Sequence, residues 1–96
     1  MELIKTESTK LTKIATDLAM GESPRWHDGR LWISDWGAQE ILSFDLEGNR
    51  RVELTHSFGL PCCFDWLPNG DLLVVSGPKG LVYVGERTVS SPLMLI

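Results

Sequence analysis

An all-β chain built from repeated four-stranded antiparallel units is predicted by three observations. Short apolar-polar runs are separated by turn signals at Asp28-Gly29, Gly48-Asn49, Asn69-Gly70 and Gly77-Pro78-Lys79-Gly80, where glycine or asparagine accepts the positive φ of a tight turn. The runs between Glu22 and Thr55 follow one another with short connections, the pattern of an antiparallel meander. The pattern then recurs: Gly29 and Gly70, Leu31 and Leu72, and Ile41 and Val82 each stand 41 residues apart.

Taken in order, Met1–Lys10 is polar and is expected to fray. Leu11–Leu18 alternates loosely and reads as a strand, although Leu11, Ile14, Ala15 and Leu18 also fit helical spacing. Glu22–His27 and Arg30–Asp35 form two strands around the Asp28-Gly29 turn. Glu40–Asp45 is a third strand, carrying Ile41 and Phe44. Arg51–Thr55 alternates charged and apolar residues, as a half-buried outer strand does. This first unit spans 22–55. The second, partial unit spans 62–84, with strands at Cys62–Leu67, Asp71–Ser76 and Leu81–Val84. A period near 40–45 with four strands per unit is the signature of a β-propeller, and a β-sandwich of hairpins has a similar rhythm.

Composition bounds the function. The 96 residues suffice for one small domain, and 43% hydrophobic with 23% charged content is globular. A net charge of −4 opposes binding to nucleic acid, which needs a basic face. No apolar run approaches a membrane span and the N-terminus lacks the apolar core of a signal peptide, so a cytoplasmic protein without membrane contact is expected. Cys62 and Cys63 are adjacent, so they point to opposite faces of a strand and are expected as reduced thiols. His27 and His56 do not supply zinc-site spacing and read as turn and loop residues. Asp35 and Asp65 read as turn hydrogen-bonding groups, and Trp26, Trp32, Trp36 and Trp66 as packing between units.

Glu22 opens the first strand directly after Gly21; spacing alone makes it a solvated edge charge. Its repeat equivalent is Cys63, so the carboxylate is not a recurring packing element. The stretch GESPRWHDGRLWISDW, residues 21–36, together with DWLPNGDLLVVS, residues 65–76, is similar to the gluconolactonase, regucalcin and senescence-marker-protein family of six-bladed β-propellers. The similarity covers Thr12 to Tyr83, and Gly-Glu-Ser-Pro-x-Trp is its most specific part.

The resemblance implies a metal-dependent lactonase or esterase acting on a small-molecule lactone or ester. It implies that Glu22 is one ligand of a divalent cation (Ca, Zn, Mn or Mg) in a central tunnel. The remaining ligands, an Asn and an Asp, would come from later blades, the Asp also serving as general base. The resemblance also implies that the strand at 11–18 completes the last blade and closes the ring.

Six blades need about 250 residues, more than this chain contains. The chain is therefore expected to be an N-terminal piece of such a protein and inactive by itself. An isolated pair of blades leaves apolar faces and open strand edges in water, so self-association or aggregation is expected. The alternative reading is a non-catalytic propeller used for binding or scaffolding.

The atypical tail, 85–96, ends on Leu93, Met94, Leu95 and Ile96 where a blade would place a turn and another strand. Synonymous codons permit a reading frame shifted near Val84 that encodes Arg-Arg-Thr-Asp-Gly and, further on, His-Ala-Asp. That sequence has a proper hairpin turn, and a frameshift near Val84 is accordingly expected. Sequencing the locus checks it: a frameshift predicts propeller coding downstream in a shifted frame.

Overall fold

The computed structural model describes residues 9–86 and the backbone of 94–95. It is all-β, with two four-stranded antiparallel sheets. Sheet one contains β1 (Gly21–His27), β2 (Arg30–Asp35), β3 (Glu40–Phe44) and β4 (Arg50–Thr55), paired in chain order. Sheet two contains β5 (Cys62–Trp66), β6 (Leu72–Ser76), β7 (Leu81–Glu86) and the two-residue β8 (Met94–Leu95), again in chain order. Among the described residues no helix is long and apolar enough to cross a membrane. The expected fraying of 1–10 lies largely outside the described residues, as does most of the tail from 87 onward.

The turns behave as their residues dictate. Asp28 and Gly29 both take positive φ, 54° and 73°, which matches the twist of the hairpin they close. In the loop after β5 the Gly70 N–H donates to the Leu67 carbonyl at 2.8 Å and the Leu67 N–H to Asp71 at 2.9 Å. Between β3 and β4, Asp45 organises the turn by accepting from the Glu47 and Asn49 N–H groups and from the Asn49 side chain. Those bonds hold the exposed Asp45 carboxyl below its ordinary value, the Asn49 side chain contributing most.

Leu11–Leu18 is neither strand nor helix: no residue from 9 to 18 belongs to either sheet. A loosely alternating segment becomes a strand only where an open edge offers it a ladder, and it pairs with neither sheet here. Instead it is fastened by its end. The Ala19 and Met20 N–H groups donate to the Asp35 carboxylate at 3.0 and 2.9 Å, and the Trp36 N–H donates to the Met20 carbonyl at 2.8 Å. Further back, the Ile14 carbonyl crosses the Gly48 turn so closely that an added Cβ would stand 2.8 Å away. Leu18 lies against Gly21 in the same manner.

Each sheet has two distinct faces, set by strand alternation. The near face of sheet one carries Trp32, Ser34, Ile41 and Ser43, and its far face carries Leu31, Ile33, Leu42 and Phe44. The near face of sheet two carries Cys62, Phe64, Leu72 and Val74. The two near faces make one core of Trp32, Ile41 and Leu54 against Cys62, Phe64, Leu72 and Val74. Trp32 meets Trp66 edge to face at 5.0 Å, and His27 stacks on Trp66 at 3.7 Å. Leu42 and Phe44 are buried on the opposite side of sheet one, where the 11–20 segment runs. This explains why β3 is buried on both faces.

The sheets are also joined by polar ties. Ser34 Oγ and Trp36 Nε1 both donate to the Cys62 carbonyl, at 2.7 and 2.9 Å. Because Trp36 continues to satisfy that carbonyl, Ser34→Ala is expected to cost only about 1 kcal/mol in urea unfolding.

The outer strand departs from simple alternation. A register shift between Ile41 and Leu42 places Leu54 opposite Ile41 and Val52 opposite Leu42, leaving Glu53 as the extra residue. Glu53 turns inward, accepting from Ser43 Oγ and Arg51 Nε at 2.6 Å each, while Val52 is 48% exposed. Trp26 also departs from expectation. It is 59% exposed and takes no part in the core between the sheets, because its position on the edge strand β1 belongs to the far face.

Candidate functional site

Glu22 is the second residue of β1 and pairs in register with Ser34. β1 is the edge strand of sheet one, so its outer side has no neighbouring strand in that sheet. Immediately after Glu22, Ser23 adopts φ 57° and the register slips before Arg25. A bulge of this kind re-aims the flanking side chains. The Glu22 carboxylate is exposed and has neither a hydrogen bond nor an ion pair with any described residue.

β5 runs beside this strand start. Ser23 Oγ donates to Cys63 Sγ at 3.6 Å, bridging the first strands of the two sheets. Cys63, the repeat equivalent of Glu22, is an exposed free thiol, whereas Cys62 is buried and free. Burial, and then the neighbouring Cys63, push the Cys62 thiol above its ordinary value, so it is unsuited to nucleophilic work. The expectation of two unbonded cysteines therefore holds, with only one of them inside the core.

The other candidate residues have structural duties. Asp35 is fully buried and accepts four backbone N–H groups, from Ala19, Met20, Gly37 and Ala38. Burial raises its carboxyl pKa, but these four donors together outweigh burial and hold it below the ordinary 3.8. Asp65 accepts from the adjacent Trp66 N–H. His27 ends β1 in its stack on Trp66. His56 accepts from the Phe58 N–H through Nδ1 and stacks on Phe58, and burial pulls its pKa below 6.5.

Two arrangements were not visible in the sequence. Arg30 donates to Ser43 Oγ, which in turn donates to Glu53, tying β2, β3 and β4 into one polar line. Phe58 stacks on Tyr83 at 4.7 Å with Lys79 over its ring. The signal for the first was the extra residue between Val52 and Leu54, recognisable only once the β3 partner is known.

Among the described residues no three His, Cys, Asp or Glu side chains converge on a point that could hold a metal ion. Calcium takes 6–8 oxygen ligands and a catalytic zinc takes three protein ligands. The single carboxylate of Glu22 is thus an incomplete donor set, and the described residues do not fit a metal centre by themselves.

Fold and site together define an all-β chain of two antiparallel sheets with one solvent-facing carboxylate at a bulged strand start. No protein-family profile, curated protein or solved structure matches the chain.

Proposed function

We propose that the two sheets are the first two blades of a β-propeller of the gluconolactonase and regucalcin type, and that Glu22 is one ligand of a divalent cation in the complete ring. On this reading the whole protein is a metal-dependent hydrolase of lactones or esters, and the 96 residues alone are inactive. Glu22 carries the proposal: an unpartnered carboxylate, lifted by a bulge, on the strand that a propeller turns toward its axis.

The repeat supports the blade reading in detail. Moving 41 residues along the chain carries β1 onto β5, β2 onto β6 and β3 onto β7. It also carries the Trp36 N–H to Met20 carbonyl bond onto the Gly77 N–H to Pro61 carbonyl bond, 2.8 and 2.9 Å. The same shift turns each near-face residue of sheet one into a far-face residue of sheet two, as it must when successive blades pack in one direction around a ring. The 11–20 segment lies over the far face of sheet one, where a closing blade would stand.

The further ligands and the base would come from other blades, so no catalytic step follows from the residues present. Calorimetric titration with Ca²⁺, Zn²⁺ and Mn²⁺ is expected to give no micromolar binding to this chain. Micromolar binding that disappears in Glu22→Gln would overturn the incomplete-site reading. Glu22→Gln itself is expected to leave stability within about 0.5 kcal/mol, since the side chain is exposed and makes no intramolecular bond.

The alternative, a non-catalytic propeller module, draws on the same incomplete donor set. The coding sequence of the remaining blades separates the two: inner-strand Asn and Asp residues favour the hydrolase, and their absence favours the module.

A further inference from the structure

The chain passes from sheet one to sheet two through His56–Pro61, between the end of β4 and the start of β5. This connector is fastened on both sides. Toward sheet one, the His56 N–H donates to the Gln39 carbonyl at 3.0 Å and the Gly59 N–H to Gln39 Oε1 at 2.9 Å. Toward sheet two, Ser76 Oγ donates to the Phe58 carbonyl at 3.0 Å and the Gly77 N–H to the Pro61 carbonyl at 2.9 Å. The Phe58 ring also stacks on Tyr83 at 4.7 Å.

His56 stands where these ties meet. Its Nδ1 accepts the Phe58 N–H at 3.1 Å, and its ring lies 4.9 Å from the Phe58 ring, nearly parallel to it. An imidazole that accepts through Nδ1 is neutral and carries its proton on Nε2. That Nε2 is buried and has no hydrogen-bond partner among the described residues. The closed connector thus already holds one unpaired N–H, which costs stability. A second proton has to enter at Nδ1, where it meets the Phe58 N–H as donor against donor.

The surroundings do not compensate a charged ring. Lys79, in the turn after β6, holds its ammonium 5.7 Å from the centre of the same Phe58 ring. The phenol of Tyr83 on β7 stacks on that ring from sheet two. Glu40 on β3 stands opposite Thr55 in register and makes no ion pair with His56. On β4 itself, Glu53 is engaged by Ser43 and Arg51. Burial lowers the His56 pKa below 6.5 with no acid opposing it.

We propose that His56–Pro61 is a pH-operated latch: protonation of His56 at Nδ1 takes away the acceptor of the Phe58 N–H and releases Phe58 from Ser76 and Tyr83, while the core between the sheets stays closed. The open connector binds the proton that the closed one resists, so acidification below 6.5 shifts the equilibrium toward the open form. The inference goes beyond the hydrolase reading and uses neither Glu22 nor the blade assignment.

Amide hydrogen exchange followed by NMR tests the latch, each rate being divided by that of an unstructured chain at the same pH. From about pH 7.5 to about pH 5.5, protection of the Phe58 N–H is expected to fall roughly tenfold, the effect of one proton taken up with an open-state pKa near 6.5. Low urea is expected to leave this exchange unchanged, as local opening exposes little surface, while the amides of the inner strands β2 and β6 exchange only through global unfolding. His56→Asn keeps an acceptor oxygen but does not titrate, so its Phe58 protection is expected to be flat with pH.

Phe58 protection that ignores pH in the unaltered chain would overturn the proposal, as would an equal pH dependence in His56→Asn. So would exchange at Phe58 that low urea accelerates together with that of β2 and β6. Should His56→Asn not fold, the unaltered chain still decides: a His56 ring that titrates at or above 6.5 in its side-chain resonances rules out the coupling.

Discussion

Trp32→Ala is expected to separate the two sheets energetically, at a cost of about 3–5 kcal/mol. Trp32 is fully buried at the centre of the shared core. Its ring meets Trp66 at 5.0 Å, His27 at 5.9 Å and Phe64 at 6.2 Å, and its Nε1 donates to the His27 carbonyl. Alanine removes the ring from all three neighbours and leaves a cavity between the sheets, where no single strand can collapse to fill it. Urea unfolding followed by tryptophan fluorescence measures the loss, and Trp32→Phe, which keeps most of the volume, is expected to lose markedly less. A cost below about 1 kcal/mol for Trp32→Ala would mean that the sheets do not depend on this core.

Asp35→Ala is expected to cost roughly 3 kcal/mol or more, since hydrogen bonds to charged groups each contribute about 1.5–3 kcal/mol and four N–H groups lose their acceptor together. Two of those donors hold the 11–20 segment and two shape the turn after β2, so the loss falls on both. Asp35→Asn keeps the oxygen that serves Met20, Gly37 and Ala38 but presents an amide donor or no acceptor to Ala19, and an intermediate cost is expected.

The same carboxylate sets an acid limb. Its folded pKa lies below 3.8, so its contribution is complete above that value and is lost as pH falls through the folded pKa. His56 acts earlier and in the same direction. Burial disfavours its charged form, so stability declines once pH drops below 6.5, where the unfolded chain takes up a proton that the folded chain resists. Stability measured against pH is therefore expected to fall in two stages on acidification, with the lower stage reduced in Asp35→Asn to the part that Asp45 contributes.

Local chemistry was legible wherever it was self-contained. Asp28-Gly29 closes its hairpin with both residues at positive φ, and the 41-residue offset of Leu31 with Leu72 survives as an equivalence of strands and of faces. Features that depend on a partner were not. Leu11–Leu18 looks like a strand because its residues suit one, yet a strand also needs an edge to pair with. Trp26 looks like core because tryptophan usually is, yet β1 turns it to the side away from sheet two. Val52 and Glu53 exchange roles through a one-residue bulge that alternation alone does not reveal. Of the candidate site, the carboxylate at Glu22 was visible from its motif, and its setting became visible only with the Ser23 bulge and the adjoining Cys63.

The segment fastened to Asp35 has a consequence for synthesis. Every strand of sheet one pairs with its immediate neighbour, and the Met20–Trp36 tie spans only the β1–β2 hairpin, so the far side of this sheet can close over Leu42 and Phe44 as soon as Thr55 has left the ribosome. Such short-range contacts form fast. The near side has no such local cover: Trp32 and Ile41 wait for Phe64, Leu72 and Val74. At elongation rates of about 5–20 residues per second this interval lasts on the order of seconds. A nascent chain at this stage is closed on one side and adhesive on the other, which makes the stretch from Thr55 to Ser76 the interval in which a chaperone has most to protect.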